Sequence, residues 1–209
     1  MANSSRNDGV RRESLRIGGA RVATERSGEV FNPYTRALVG TVAVAAVAEV
    51  RRAIEIAKAF RSRLTRYERY RICYQTAEAL RARTEEIANL ITAESGLCKK
   101  DSTYEVGRAC DVFIFAGNAA LQDDGQIFSC DLTAHGKRRK VYTLREPLLG
   151  VIAAITPFNH PLNQVAHKVA PSIATNNRMV LKPSEKTPLS ALLLADILYA
   201  VIDPRIRVG

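Results

Sequence analysis

Apolar residues return at helical spacing through much of the first half of the chain. Between residues 46 and 60, Val47, Val50, Ile54, Ala57 and Phe60 follow the period of one helix face. A longer stretch, about residues 66–94, turns Ile72, Cys73, Thr76, Ala77, Leu80, Ile87, Leu90 and Ile91 inward. Gly96 supplies its stop, because glycine tolerates the left-handed conformation that ends helices. A third helix is expected over about residues 102–116, with Val106, Ala109, Cys110 and Phe113 on one face. Glu105 and Arg108, three apart, then read as neighbours on its other side.

Elsewhere the period shortens to two. Residues 15–22 alternate around Gly18-Gly19 and predict a hairpin. Asn32-Pro33 marks a turn and Gly40-Thr41-Val42 another short extended piece. Residues 137–145 alternate again, with Val141, Thr143 and Arg145 on one side and Tyr142 and Leu144 on the other. Then follow a strand at 151–155, a helix at about 161–175, a strand at 179–181 and a helix at 189–199. That order is a βαβα unit with a right-handed crossover, and the fold class is α/β. Pro171 is expected to kink the first of these helices, and Asn176-Asn177 to end it.

A chain of 209 residues with 46% hydrophobic content can build one sizeable domain or two small ones. No apolar run approaches a membrane span, and Met1-Ala2-Asn3-Ser4-Ser5-Arg6 lacks an apolar signal region. A cytoplasmic location without a membrane partner is the expectation. Cys73, Cys98, Cys110 and Cys130 form no CxxC pair or His/Cys cluster, so idle thiols are expected, with no metal site. The net charge of +10 lies largely on Arg51, Arg52, Lys58, Arg61, Arg63, Arg66, Arg69, Arg71 and Lys137-Arg138-Arg139-Lys140. Neither interleaved aromatics nor a known module accompanies it, which argues against a nucleic-acid partner. Steering of an anionic small molecule and the excess left by an absent acidic half both remain open.

Candidate chemistry concentrates in two runs. In Gly150-Val151-Ile152-Ala153-Ala154-Ile155-Thr156-Pro157-Phe158-Asn159-His160-Pro161 an apolar strand ends in a Pro-bounded turn before a helix. Asn159 and free backbone N–H groups would there converge where negative charge develops on an oxygen. In Val180-Leu181-Lys182-Pro183-Ser184-Glu185-Lys186-Thr187-Pro188 a cation and a carboxylate follow the second strand. Alone, that Lys-Pro-x-Glu run also reads as a solvated loop. There is no G-x-G-x-x-G, so dinucleotide binding would rest on a variant Rossmann half. In it, Glu185 accepts from both ribose hydroxyls and repels a 2′-phosphate, favouring NAD.

Taken together, the two runs and the spacing between them closely resemble the aldehyde dehydrogenase superfamily. The likeness extends from about Leu15 to Tyr199 and includes Ile17-Gly18-Gly19, Asn32-Pro33 and Gly40-Thr41-Val42 in the family's order. It implies the N-terminal part of that fold: a partial Rossmann-like βαβα unit, helices, and oligomerisation-type strands at about 126–146. Residues 1–14 are then a disordered tail and 200–209 a divergent one. The resemblance assigns Asn159 to the oxyanion of the thiohemiacetal, Thr156, Pro157 and Phe158 to the nicotinamide approach, and Lys182 and Glu185 to the ribose of NAD.

His160 beside the oxyanion donor, and Arg108 on a helix bordering the family's substrate tunnel, look like the phosphonoacetaldehyde dehydrogenase branch. There an imidazole and a guanidinium would hold an acidic aldehyde. Lactaldehyde and other small-aldehyde dehydrogenases are alternatives, and so is a bland arrangement in which Arg108 pairs with Glu105 and His160 caps its helix. The family's cysteine nucleophile and glutamate base belong to segments C-terminal to the second Rossmann helix, and none of the four cysteines stands in a matching motif. By itself the chain is therefore expected to be inactive, its full-length form being a homo-oligomer. The alternative is a non-catalytic fragment whose strands at 126–146 pair with intact subunits.

Overall fold

The computed structural model describes residues 10–122 and 125–202. Five short strands come first: β1 (Arg11–Glu13), β2 (Leu15–Ile17), β3 (Ala20–Val22), β4 (Ser27–Phe31) and β5 (Leu38–Ala43). Four helices follow: α1 (Val47–Ala59), α2 (Arg66–Ala82), α3 (Thr84–Ser95) and α4 (Lys99–Leu121). The chain then forms β6 (Ile127–Ser129), β7 (Lys140–Tyr142), β8 (Ile152–Ile155), α5 (Pro161–Ala174), β9 (Met179–Lys182) and α6 (Leu189–Ile202).

Gly18 and Gly19 both adopt positive φ, 59° and 82°, which gives the β2–β3 hairpin the two-residue turn its strand twist requires. β5 pairs antiparallel with β4 and parallel with β1. Of the expected N-terminal tail, residues 1–9 lie outside the described residues, but 11–13 are a strand rather than disordered. Gly40 makes that pairing possible, because a Cβ there would meet the Arg11 carbonyl oxygen at 2.8 Å. Arg16 ties the hairpin to α6: its Nη2 lies 2.6 Å from Asp196 Oδ2 and 2.6 Å from Glu13 Oε2.

The core is helical. α2, α4 and α5 pack in sequence with α3 and α6 against them, enclosing Leu80, Ile87, Ile91, Phe113, Leu162 and Leu194. All the inward positions predicted on the second and third helices are buried. The expected single helix over 66–94 is two, however. Arg83 leaves helical geometry (φ −112°, ψ 21°) and its guanidinium grips Glu86 at 2.8 and 2.9 Å. Because Leu80 and Ile87 both still reach the core, the apolar stripe runs through the break without showing it. Thr65 and Glu68 form a reciprocal capping box that starts α2. Gly96, at φ 79°, ends α3 as expected. The Arg69 guanidinium donates to the Ala174 carbonyl at the end of α5, a cation at the negative pole of a helix.

α1 forms where the periodicity places it but buries none of its residues. Both strands of the β6–β7 hairpin are exposed at every position, including Ile127, Phe128, Val141 and Tyr142. α5 continues through Pro171, and Asn176, at φ 57°, follows its end in the left-handed region. No helix among the described residues is long and apolar enough to cross a membrane.

Candidate functional site

β8 and β9 run parallel in register, Ile155 opposite Lys182. One more bond, from the Thr156 N–H to the Lys182 carbonyl at 3.3 Å, continues the ladder past β8. The two runs singled out in the sequence therefore leave the sheet side by side, at the carboxyl ends of parallel strands, each entering a helix. In open α/β sheets that is the edge where ligands bind. Thr156 is buried beneath the edge, whereas Pro157, Phe158, Asn159 and His160 are exposed along it. The Lys186 ammonium sits 4.5 Å from the centre of the Phe158 ring, which links the two loops across the top.

Lys182 Nζ lies 3.2 Å from Glu185 Oε2, and both side chains are largely in solvent. A hydrogen bond from its own backbone N–H, then the Lys182 ammonium, hold the Glu185 carboxyl below its ordinary range. An exposed ion pair of this kind adds little stability and is readily opened by a ligand. A carboxylate acceptor beside an ammonium donor is a pair that could meet vicinal hydroxyls.

The entry to α5 differs from expectation. Its first-turn amides are not free to meet an oxyanion: Glu105 Oε1 accepts from the N–H of Leu162 at 2.8 Å and of Asn163 at 2.9 Å. Pro161 has no N–H, and the Gln164 N–H bonds to the His160 carbonyl. A carboxylate from α4 thus already occupies the positive end of the helix. His160 stands at the N-cap without a capping hydrogen bond, its Nδ1 3.6 Å from Glu105 Oε2.

Glu105 consequently does not pair with Arg108 on the outside of α4. It lies in phase with Ala109 and Phe113 on the buried stripe, and burial pushes its carboxyl upward against the two N–H donors. Arg108 turns along its own helix, 3.4 Å from the Tyr104 hydroxyl. It lines a cleft of about 390 Å³ with Arg81, Thr84 and Asp111. No contact joins it to His160 among those described.

A second buried carboxylate escaped the sequence reading. Glu94 at the end of α3 accepts from the Leu189 N–H at 2.7 Å and the Ser190 N–H at 2.9 Å, capping α6 as Glu105 caps α5. Burial raises it to about 7, opposed by the donors from Ser190 and Leu189. Phase would have revealed both residues. Glu94 falls three and seven positions after Ile91 and Ile87, and Glu105 four and eight before Ala109 and Phe113.

The cysteines are all free thiols. Cys73 and Cys110 are in the core, where burial pushes Cys73 up to about 12, far from a thiolate. Among the described residues no group of three or more His, Cys, Asp or Glu is placed to hold a metal.

Residues 21–205 match the sequence pattern of the aldehyde dehydrogenase family, continuing past Tyr199, where a divergent tail was expected. The 3-sulfolactaldehyde dehydrogenase of Priestia aryabhattai is 35% identical over 190 residues, 90% of this chain and 40% of that protein. Aldehyde dehydrogenase 21 of Physcomitrella patens, solved with the reaction product succinate, superposes with a TM-score of 0.85 at 33% identity, covering 92% of this chain and 40% of that one. The NADP-dependent glyceraldehyde-3-phosphate dehydrogenase of Bacillus halodurans, solved with NADP, gives 0.82 at 29% identity, with 92% and 42% covered. The chain thus spans about 40% of the length of the relatives it matches. The chain belongs to the aldehyde dehydrogenase family.

Proposed function

We propose that this chain is the cofactor-binding and oxyanion-stabilising part of an NAD-dependent dehydrogenase that oxidises a small acidic aldehyde to its acid. The observation that carries this reading is the bond between Thr156 and Lys182, which sets the two loops side by side at one sheet edge. NAD supplies the acceptor for the hydride lost by the substrate. Lys182 and Glu185 hold the adenosine ribose, and the Glu185 carboxylate disfavours the 2′-phosphate of NADP. Thr156, Pro157 and Phe158 line the approach of the nicotinamide. Asn159 donates its side-chain amide to the substrate oxygen as negative charge develops there. With the first-turn amides of α5 taken by Glu105, the side chain of Asn159 carries that role without help from the helix.

The acidic substrate is supported by His160, an imidazole with a carboxylate behind it at the same edge, and by the anionic groups in the names 3-sulfolactaldehyde and succinate among relatives. Arg108 serves the same end from α4, and phosphonoacetaldehyde is the substrate to try first. Location in the cytoplasm and homo-oligomer formation through 126–146 belong to the same reading. A second reading, a fragment that pairs with intact subunits, is favoured by the exposed strands of the β6–β7 hairpin.

The test is steady-state NADH formation. The 209-residue chain alone is expected to give none, lacking the family's thiolate. Joined to the C-terminal portion of a close relative, it is expected to oxidise phosphonoacetaldehyde with NAD. Activity with uncharged aldehydes alone would remove the acidic substrate. Co-purification with intact subunits and no activity in the joined protein would favour the second reading.

A further inference from the structure

We infer that Glu105 and Glu94 are positioning residues, each fixing one of the two site loops from inside the helical layer. This deepens the proposed function and rests on it for the roles of the loops. The loop from Thr156 to His160 is held at both ends: Thr156 donates to Lys182 on the sheet, and Leu162 and Asn163 donate to Glu105. Asn159 lies between these anchors, so the direction of its amide follows where Glu105 makes α5 begin. The loop after β9 repeats the plan. Lys182 is fixed in the ladder, Leu189 and Ser190 are fixed to Glu94, and Glu185 lies between.

Neither carboxylate is an ordinary helix cap. Each reaches from a different helix, is at most 2% exposed, and receives two backbone N–H groups that follow a proline in the chain. Glu105 Oε2 is buried without a hydrogen-bond partner and faces His160 Nδ1 at 3.6 Å. Volume alone would be filled as well by an apolar side chain. What only an oxygen supplies is an acceptor for helix amides that have no intrahelical partner.

Amide exchange on the full chain separates the two roles without any ligand, so the result does not depend on whether the loops bind a nucleotide. Glu105→Met keeps the volume and removes the acceptor, whereas Glu105→Gln keeps an acceptor oxygen. With Glu105→Met, exchange at Leu162 and Asn163 is expected to rise about 10- to 100-fold, with backbone order falling at Phe158, Asn159 and His160. Glu105→Gln is expected to restore most of the protection. Glu94→Met should act in the same way on Leu189, Ser190 and the 183–187 loop, leaving Asn159 unchanged. Should a Met variant fail to fold, the unmodified chain still decides: scalar couplings across the hydrogen bonds are expected from the Leu162 and Asn163 amide nitrogens to the Glu105 carboxyl carbon. Protection retained in the Met variants, equal loosening of both loops by either substitution, or absence of those couplings would overturn the inference.

Discussion

The Glu105 carboxylate lies behind His160, with Oε2 3.6 Å from the imidazole Nδ1, while its other oxygen holds the first amides of α5. One buried side chain thereby sets both where the helix starts and what stands behind the imidazole at the exposed edge. His160 faces the site with that buried side chain directly behind it.

That pairing makes a substrate prediction. In the enzyme joined to a relative's C-terminal portion, His160→Ala is expected to raise KM for phosphonoacetaldehyde while leaving propanal nearly untouched, since only the former carries an anion. Arg108→Ala should act in the same direction but more weakly, because its guanidinium lies along α4 beside Tyr104. Equal losses on both aldehydes, measured as kcat/KM, would contradict the acidic-substrate reading.

Asn159→Ala should act on chemistry rather than binding. A single oxyanion donor is worth about 10²–10³-fold in rate, and the expected signature is a fall in kcat with KM for NAD unchanged. A fall confined to KM would take Asn159 out of that role.

Glu94 gives a pH dependence of known sign. Burial raises it from 4.5 to about 7, so the folded chain retains a proton that the unfolded chain has released. Its contribution to stability is complete below about pH 4.5 and is lost as pH rises through about 7, a loss on the order of 3 kcal/mol. Glu68, Glu85, Glu86 and Glu185, all held low, act oppositely in acid, so the comparison must be differential. Glu94→Gln cannot ionise, and in urea unfolding it should gain on the unmodified chain between about pH 5 and about pH 8. A gap constant with pH would contradict this.

Asp196 should be costly to remove. It pairs with Arg16, whose side chain is 5% exposed, and also with Arg21. Asp196→Ala leaves a buried cation short of a partner, a change expected to cost about 3–5 kcal/mol by denaturant unfolding. A cost near that of an exposed pair, below about 1 kcal/mol, would show that water and the existing Glu13 pair suffice for Arg16.

The hairpin, the helical core and the βα order were legible in the sequence because each follows from local rules. Gly18-Gly19 demands its turn, and Phe113, Leu80 and Ile91 keep a helical period. What escaped notice turns on non-local matters. The break at Arg83 hides because the stripe from Leu80 to Ile87 stays in phase across it. Glu105 reads as a surface neighbour of Arg108 until α5 arrives to supply its donors. β1 needs Gly40, far along the chain, to accept it. Lys182 and Glu185, by contrast, stand out in the sequence by their order after Asn159, although only the sheet places Thr156 against Lys182.

On the proposed reading the loops after β8 and β9 form one cofactor edge. Titrating the isotopically labelled chain with NAD, and separately with NADP, and following its backbone amide shifts tests this directly. Perturbations are expected at residues 156–160 and 182–186 alone, larger with NAD, with the preference narrowed by Glu185→Gln. Perturbations that fall elsewhere, or that are as large with NADP as with NAD, would contradict it.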